Sequence, residues 1–167
     1  CCDTLLVQSH AFIEPVSRYA DRQKIVYYPN SVDVRPPVVA VSIPEELKEL
    51  LDTHFCVVFA GNLGTAQSLD TLVQAAENLR DDPQIRLVLI GSGSRLSWLK
   101  SQQHALGLDN LILAGRFPAE AMPQIFERSS ALLVSLNDDE AFAQTIPSKI
   151  QAYLAAGRPI IASINGE

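Results

Sequence analysis

Five short apolar runs, at 55–60, 85–90, 111–114, 131–136 and 159–164, set the tightest limit on what this chain can fold into. Each has the length of a strand, and none alternates cleanly between apolar and polar residues. That pattern belongs to strands covered on both faces, as in a parallel sheet. Parallel strands need long crossovers, and the stretches between the runs have helical period. Leu69, Leu72, Val73, Ala76 and Leu79 form one stripe after Ser68, a predicted N-cap, and Asp81-Asp82-Pro83 closes it. Ser94 is the predicted cap of a second helix carrying Leu96, Leu99 and Leu106, stopped by Gly107. Pro118 opens a third with Met122, Ile125 and Phe126. A fourth has Pro147 in its first turn, buries Ile150, Tyr153 and Leu154, and ends at Gly157. With right-handed crossovers, this alternation predicts an α/β fold, a Rossmann-like doubly wound parallel sheet.

The opening 50 residues differ. Residues 4–8 read as a strand, 9–20 as a helix and 24–27 as another short strand, after which Pro29 and Asn30 break the chain. Arg35-Pro36-Pro37 looks like a linker. We therefore divide the chain into 1–37, the tail of one unit with its linker, and 38–167, the sheet-bearing unit; a short helix from Ser42 to Leu51 leads into the sheet. A chain of 167 residues, 47% hydrophobic and 19% charged, buries a core of its own. Its only methionine is Met122, which reads as a piece of something longer.

A net charge of −6 argues against nucleic acid or an anionic membrane surface as the main partner. No apolar run approaches the ~18–20 residues of a membrane span. Cys1 and Cys2 are adjacent, Cys56 lies in an apolar run, and His10, His54 and His104 stand alone. No zinc site is expected from such spacing, and the cysteine usage suits a reducing, cytoplasmic compartment.

The chemistry should gather at the carboxyl ends of the strands. Three loops there carry suitable residues. Gly61-Asn62-Leu63-Gly64 opens a strand-to-helix connection that either cradles a phosphate or merely turns; no Gly-Lys-Ser/Thr follows, so it is not a Walker loop. Gly91-Ser92-Gly93-Ser94 resembles the start of a dinucleotide fingerprint, but Leu96 stands where its last glycine belongs. That suits contact with a single nucleotide, or a simple turn. Thr145-Ile146-Pro147-Ser148-Lys149 opens the fourth helix. Thr145 can cap it, and Ser148 and Lys149 can meet an anion held by free N–H groups. A lysine at a helix start is disfavoured by the dipole, and a bound phosphate would explain it; a solvated lysine is the alternative. Asp138-Asp139-Glu140 is either a carboxylate site for a divalent cation or a solvated cluster.

The segments Phe-Ala-Gly-Asn-Leu-Gly (59–64), Val-Leu-Ile-Gly-Ser-Gly (88–93), Leu-Ala-Gly-Arg-Phe (113–117), Thr-Ile-Pro-Ser-Lys-Ile (145–150) and Tyr-Leu-Ala-Ala-Gly-Arg-Pro-Ile-Ile-Ala-Ser (153–163) resemble, in order, the C-terminal domain of group 1 retaining glycosyltransferases. The Pro-Ser-Lys variant is similar to the branch that builds bacterial surface polysaccharides, including colanic acid and fucosamine-containing O-antigens. Tyr28-Pro29-Asn30-Ser31-Val32-Asp33 resembles the family's segment leaving the N-terminal domain.

The resemblance implies the C-terminal half of a GT-B fold that binds a nucleotide-sugar donor, truncated after Gly166-Glu167. The glycan or lipid-linked acceptor, and any membrane contact, would then belong to an N-terminal domain largely absent here. It implies donor diphosphate against Gly61, Asn62, Gly64, Thr145, Ser148 and Lys149, and nucleobase near Gly91, Gly93, Arg116 and Phe117. The family's paired glutamates, eight residues apart, fall at Gln144 and Ala152. Lys149 and Gln144 are therefore the catalytic candidates, with no metal and no cofactor beyond the donor. A sugar-nucleotide epimerase of the same fold and a non-catalytic nucleotide-binding module are the alternatives.

Overall fold

A computed structural model describes residues 2–32, 41–143 and 145–165. The predicted boundary at 37/38, Gln144 and the terminal pair 166–167 lie outside the described residues. Two parallel strands, β1 (Leu5–Val7) and β2 (Ile25–Tyr27), form a small sheet of their own, connected through α1 (Ile13–Ser17). The helix expected over 9–20 is thus a 3-10 turn at His10–Phe12 followed by five α-helical residues. Pro15 lacks an N–H, so it fits the first turn of a helix starting at Ile13 and not the middle of a longer one.

The larger unit begins with α2 (Glu45–Thr53) and β3 (Phe55–Asn62), followed by α3 (Leu69–Asn78) and β4 (Ile85–Ser92). Then come α4 (Leu96–Leu106), β5 (Leu111–Gly115), α5 (Met122–Arg128) and β6 (Ala131–Ser135). The short α6 (Glu140–Ala143), α7 (Lys149–Ala156) and β7 (Ile160–Ser163) complete it. The five strands are all parallel, in the order β5-β4-β3-β6-β7. Successive residues of each strand face opposite sides, so the core has two layers. Val58, Val88, Leu132 and Tyr153 share one layer with α2, α5 and α7; Phe59, Leu89, Leu99 and Leu133 share the other with α3 and α4. The sheet is doubly wound, as its apolar runs predict.

Four local expectations are corrected. The run at 159–164 was expected to be covered on both faces, but β7 is the sheet edge and is mostly exposed. Leu154 on α7 is likewise exposed, at 66%, while Tyr153 beside it is fully buried. The cap of α4 is Arg95 and not Ser94, because the turn closes through Leu96 N–H to the Gly93 carbonyl. Helix α7 starts at Lys149, so Ser148 is its N-cap in place of Thr145, and Pro147 precedes its first turn.

Candidate functional site

The sheet parts between β3 and β6. Strand β3 pairs with β4 from Phe55 to Asn62, but with β6 only at Val57 and Val58, whereas β6 continues beside β7 to Ser135. Strand order reverses at this seam, and in open α/β sheets that is where a ligand crevice forms. The backbone of Ala60, which has no strand partner on this side, is served by Tyr153 of α7. Its N–H donates to the Tyr153 hydroxyl at 2.9 Å, and the hydroxyl donates to its carbonyl at 3.3 Å. Burial pushes that phenol up to about 12, and the ring meets Phe126 edge-on. Further out, Asn137 crosses the same seam: its backbone N–H donates to the Ala66 carbonyl and its amide to the Thr65 carbonyl. Sequence reasoning identified neither Tyr153 nor Asn137 as part of the site.

The two glycine loops pack on each other. Gly61 and Gly91 are register neighbours with φ of +152° and +141°, and a Cβ on Gly91 would stand 1.8 Å from the Gly61 carbonyl oxygen. A Cβ on Gly93 would stand 2.3 Å from the backbone of Leu63. Loop-to-loop packing therefore accounts for both glycines of the 91–93 pair. At Gly61 the crowding neighbour is a side chain: a Cβ there would lie 3.0 Å from Lys149 Nζ.

Lys149 is thus folded down onto the Gly61 loop. Its ammonium donates to Gln67 Oε1 at 3.2 Å and sits 3.9 Å from the centre of the Phe59 ring. Desolvation lowers its pKa from 10.5 to about 8. A buried cation at the start of a helix is opposed by both burial and the dipole. Among the described residues its compensation is one neutral acceptor and one ring face, an arrangement that favours an incoming anion.

Lys149, Gly61, Asn62, Gly91, Arg116 and Phe117 line one cleft of about 1010 Å³, as does Ala152. Of the remaining predicted residues, Gly64, Gly93, Thr145 and Ser148 are not part of that lining, and Gln144 lies outside the described residues. The far wall is apolar, built from Ala60, Ile90, Met122, Phe126 and Tyr153, with Glu127 as its carboxylate. The helical period marked Met122, Phe126 and Tyr153 as core, but periodicity does not show which core residues border a cavity. Asp138 is exposed, and among the described residues no group of three His, Cys, Asp or Glu could hold a metal ion.

A parallel doubly wound sheet with a crevice at its switch point defines a Rossmann-like α/β domain. The family model for glycosyl transferases group 1 matches residues 44–166, and the chain belongs to that family. It is 27% identical over 139 residues to WcaI of Escherichia coli (strain K12), provisionally named as a colanic acid biosynthesis glycosyl transferase. That match covers 81% of this chain and 34% of the relative, so the chain spans about a third of the relative's length. The fold is that of the GT-B glycosyltransferases. HepE of Anabaena, solved in complex with UDP-glucose, aligns with a TM-score of 0.75 at 17% identity, over 99% of this chain and 46% of that one. WaaG, a glycosyltransferase involved in lipopolysaccharide biosynthesis, aligns with a TM-score of 0.70 at 13% identity, over 95% and 44%.

Proposed function

We propose that this chain is the donor-binding part of a retaining glycosyltransferase that moves a sugar from a nucleotide-sugar to a glycan or lipid-linked acceptor. The observation that carries this reading is Lys149, a largely buried ammonium held over Gly61 at the mouth of the switch-point cleft. The donor diphosphate lies against Lys149, Gly61 and Asn62, and the base points toward Gly91, Arg116 and Phe117. As the glycosidic bond breaks, charge develops on the diphosphate, and a preorganised cation with helix N–H groups lowers that barrier. This chemistry draws on no metal and no cofactor besides the donor. Residues 1–37 belong to the acceptor-binding unit and its linker, and any membrane contact of a cytoplasmic, peripheral enzyme belongs to that unit too. HepE was solved with UDP-glucose, which makes UDP the first probe to try.

Calorimetric titration with UDP, GDP, ADP and TDP tests the reading. One of them is expected to bind with a Kd of ~0.1–1 mM, the affinity of a cleft to which residues 1–37 contribute Val32 alone among the described residues, and the chain alone to release no transfer product. Failure of all four to bind at millimolar concentration overturns it.

A further inference from the structure

The second strand of the small sheet runs into Tyr28-Pro29-Asn30, and there the small unit touches the turn before α7. The Asn30 side chain spends both of its amide hydrogens on the contact: Nδ2 donates to Gln8 Oε1 at 2.8 Å and to the Ile146 carbonyl at 3.2 Å. Gln8 directly follows β1, which Tyr28 holds in register by donating its N–H to the Val7 carbonyl. Ile146 stands three residues before Lys149. Asn30 therefore bridges the carboxyl edge of the small sheet and the turn that launches α7. Two residues on, Val32 lines the cleft itself.

Backbone hydrogen bonds flank that turn, from Thr145 N–H to the Phe142 carbonyl at 2.9 Å and from Ile150 N–H to the Pro147 carbonyl at 3.0 Å, and neither uses a group of Ile146. Ser148, the N-cap of α7, makes no capping hydrogen bond with its side chain. Pro147 offers no N–H and restricts Ile146 to extended conformations. The Ile146 carbonyl accepts its hydrogen bond from Asn30, 116 residues away in the chain. Lys149, the first residue of α7, lines the cleft with its ammonium on Gln67 Oε1 and the Phe59 ring, so the start of α7 carries the cation.

We propose that Asn30 is a positioning residue, a latch through which the N-terminal unit sets the aim of Lys149 toward the donor diphosphate. The consequence for binding rests on the function proposed above; the latch itself does not. Movement of the small sheet carries Gln8 and Asn30 with it and pulls on the Ile146 carbonyl, so the docking of the two units and the readiness of the phosphate site are one event.

The test uses the whole chain and two variants, Asn30→Ala, which removes the fork, and the isosteric Asn30→Asp, which keeps its shape but has no hydrogen to donate. Hydrogen-exchange mass spectrometry, with no ligand present, should show amides of 146–152 exchanging about tenfold faster in both variants, with the β4 segment 85–92 unchanged. Gln8→Glu, which keeps an acceptor opposite Asn30, should leave the exchange as in wild type. Titration with UDP should then show affinity about tenfold weaker in both Asn30 variants, and affinity for uridine unchanged. Unaltered exchange at 146–152 in both variants overturns the latch. So does weakening that is equal for UDP and uridine, since Lys149 aims only at phosphate. If the wild type binds no UDP at all, the donor-binding reading fails while the exchange experiment still decides the latch.

Discussion

Because Lys149 is both the candidate anion ligand and a partly desolvated base, nucleotide affinity should depend on pH in a way that one substitution abolishes. In the free protein the ammonium has a hydrogen bond to Gln67 Oε1 at 3.2 Å and the Phe59 ring at 3.9 Å. A charge-assisted hydrogen bond contributes ~1.5–3 kcal/mol, but swinging toward a phosphate gives up part of the Gln67 and Phe59 contacts, leaving a net of about 1–2 kcal/mol. Lys149→Ala should therefore weaken UDP binding about 5–30-fold at pH 7 and hardly affect uridine. The ammonium titrates at about 8 in the free protein, lowered by burial, so wild-type affinity should be level just above pH 7 and fall from pH 8 upward. Lys149→Arg should bind more weakly than wild type, its planar fork replacing a compact charge, but with no fall between pH 8 and 9.5. Isothermal titration of the three proteins from pH 7 to 9.5 reads all of this. A wild-type affinity independent of pH, or a fall that persists in Lys149→Arg, refutes the reasoning.

The same lysine bears on stability with a definite sign. The unfolded chain keeps this proton up to 10.5 and the folded chain releases it near 8, so stability should rise with pH across that window. Below pH 8 the buried charge costs up to roughly 3 kcal/mol, and Lys149→Met should raise the melting temperature at pH 7 by several degrees, the gain disappearing by about pH 10.5. A gain that is the same at pH 7 and pH 10.5 would count against the buried charge. Gly91→Ala forces a Cβ to within 1.8 Å of the Gly61 carbonyl at a φ of +141°, and should cost ~3 kcal/mol or more in urea denaturation. A loss below 1 kcal/mol would show that the loops are not packed this closely. Tyr153→Phe leaves the Ala60 N–H and carbonyl without their buried partner, an expected loss of ~1–3 kcal/mol in thermal denaturation. An unchanged melting curve would show that the hydroxyl does not bridge the seam.

Much of this molecule follows from patterns that act over a few residues. An apolar run of strand length without alternation favours a strand covered on both faces, so the runs from 55 to 136 mark four strands of the sheet. Gly107 and Gly157 marked helix ends, and both cap the helices that they were read to stop. The crossover rule then supplied the doubly wound topology, and the loops at Gly61, Gly91, Arg116 and Lys149 pointed to one end of the sheet because strand ends are also chain positions. Other features depend on groups that meet only once the sheet is assembled. The seam exists because β6 leaves β3 after Val58, and a hydroxyl 93 residues away replaces the missing strand. The Gly91-x-Gly93 pair is written like a phosphate loop, yet its glycines answer to the backbone of Gly61 and Leu63. The exposure of β7 follows from its place at the sheet edge, which periodicity cannot report. Lys149 is the clearest case. The sequence placed a cation at a helix start, but burial lowers its pKa while Gln67 and Phe59 meet the ammonium from distant parts of the chain, and burial by distant neighbours is a property that no local pattern encodes.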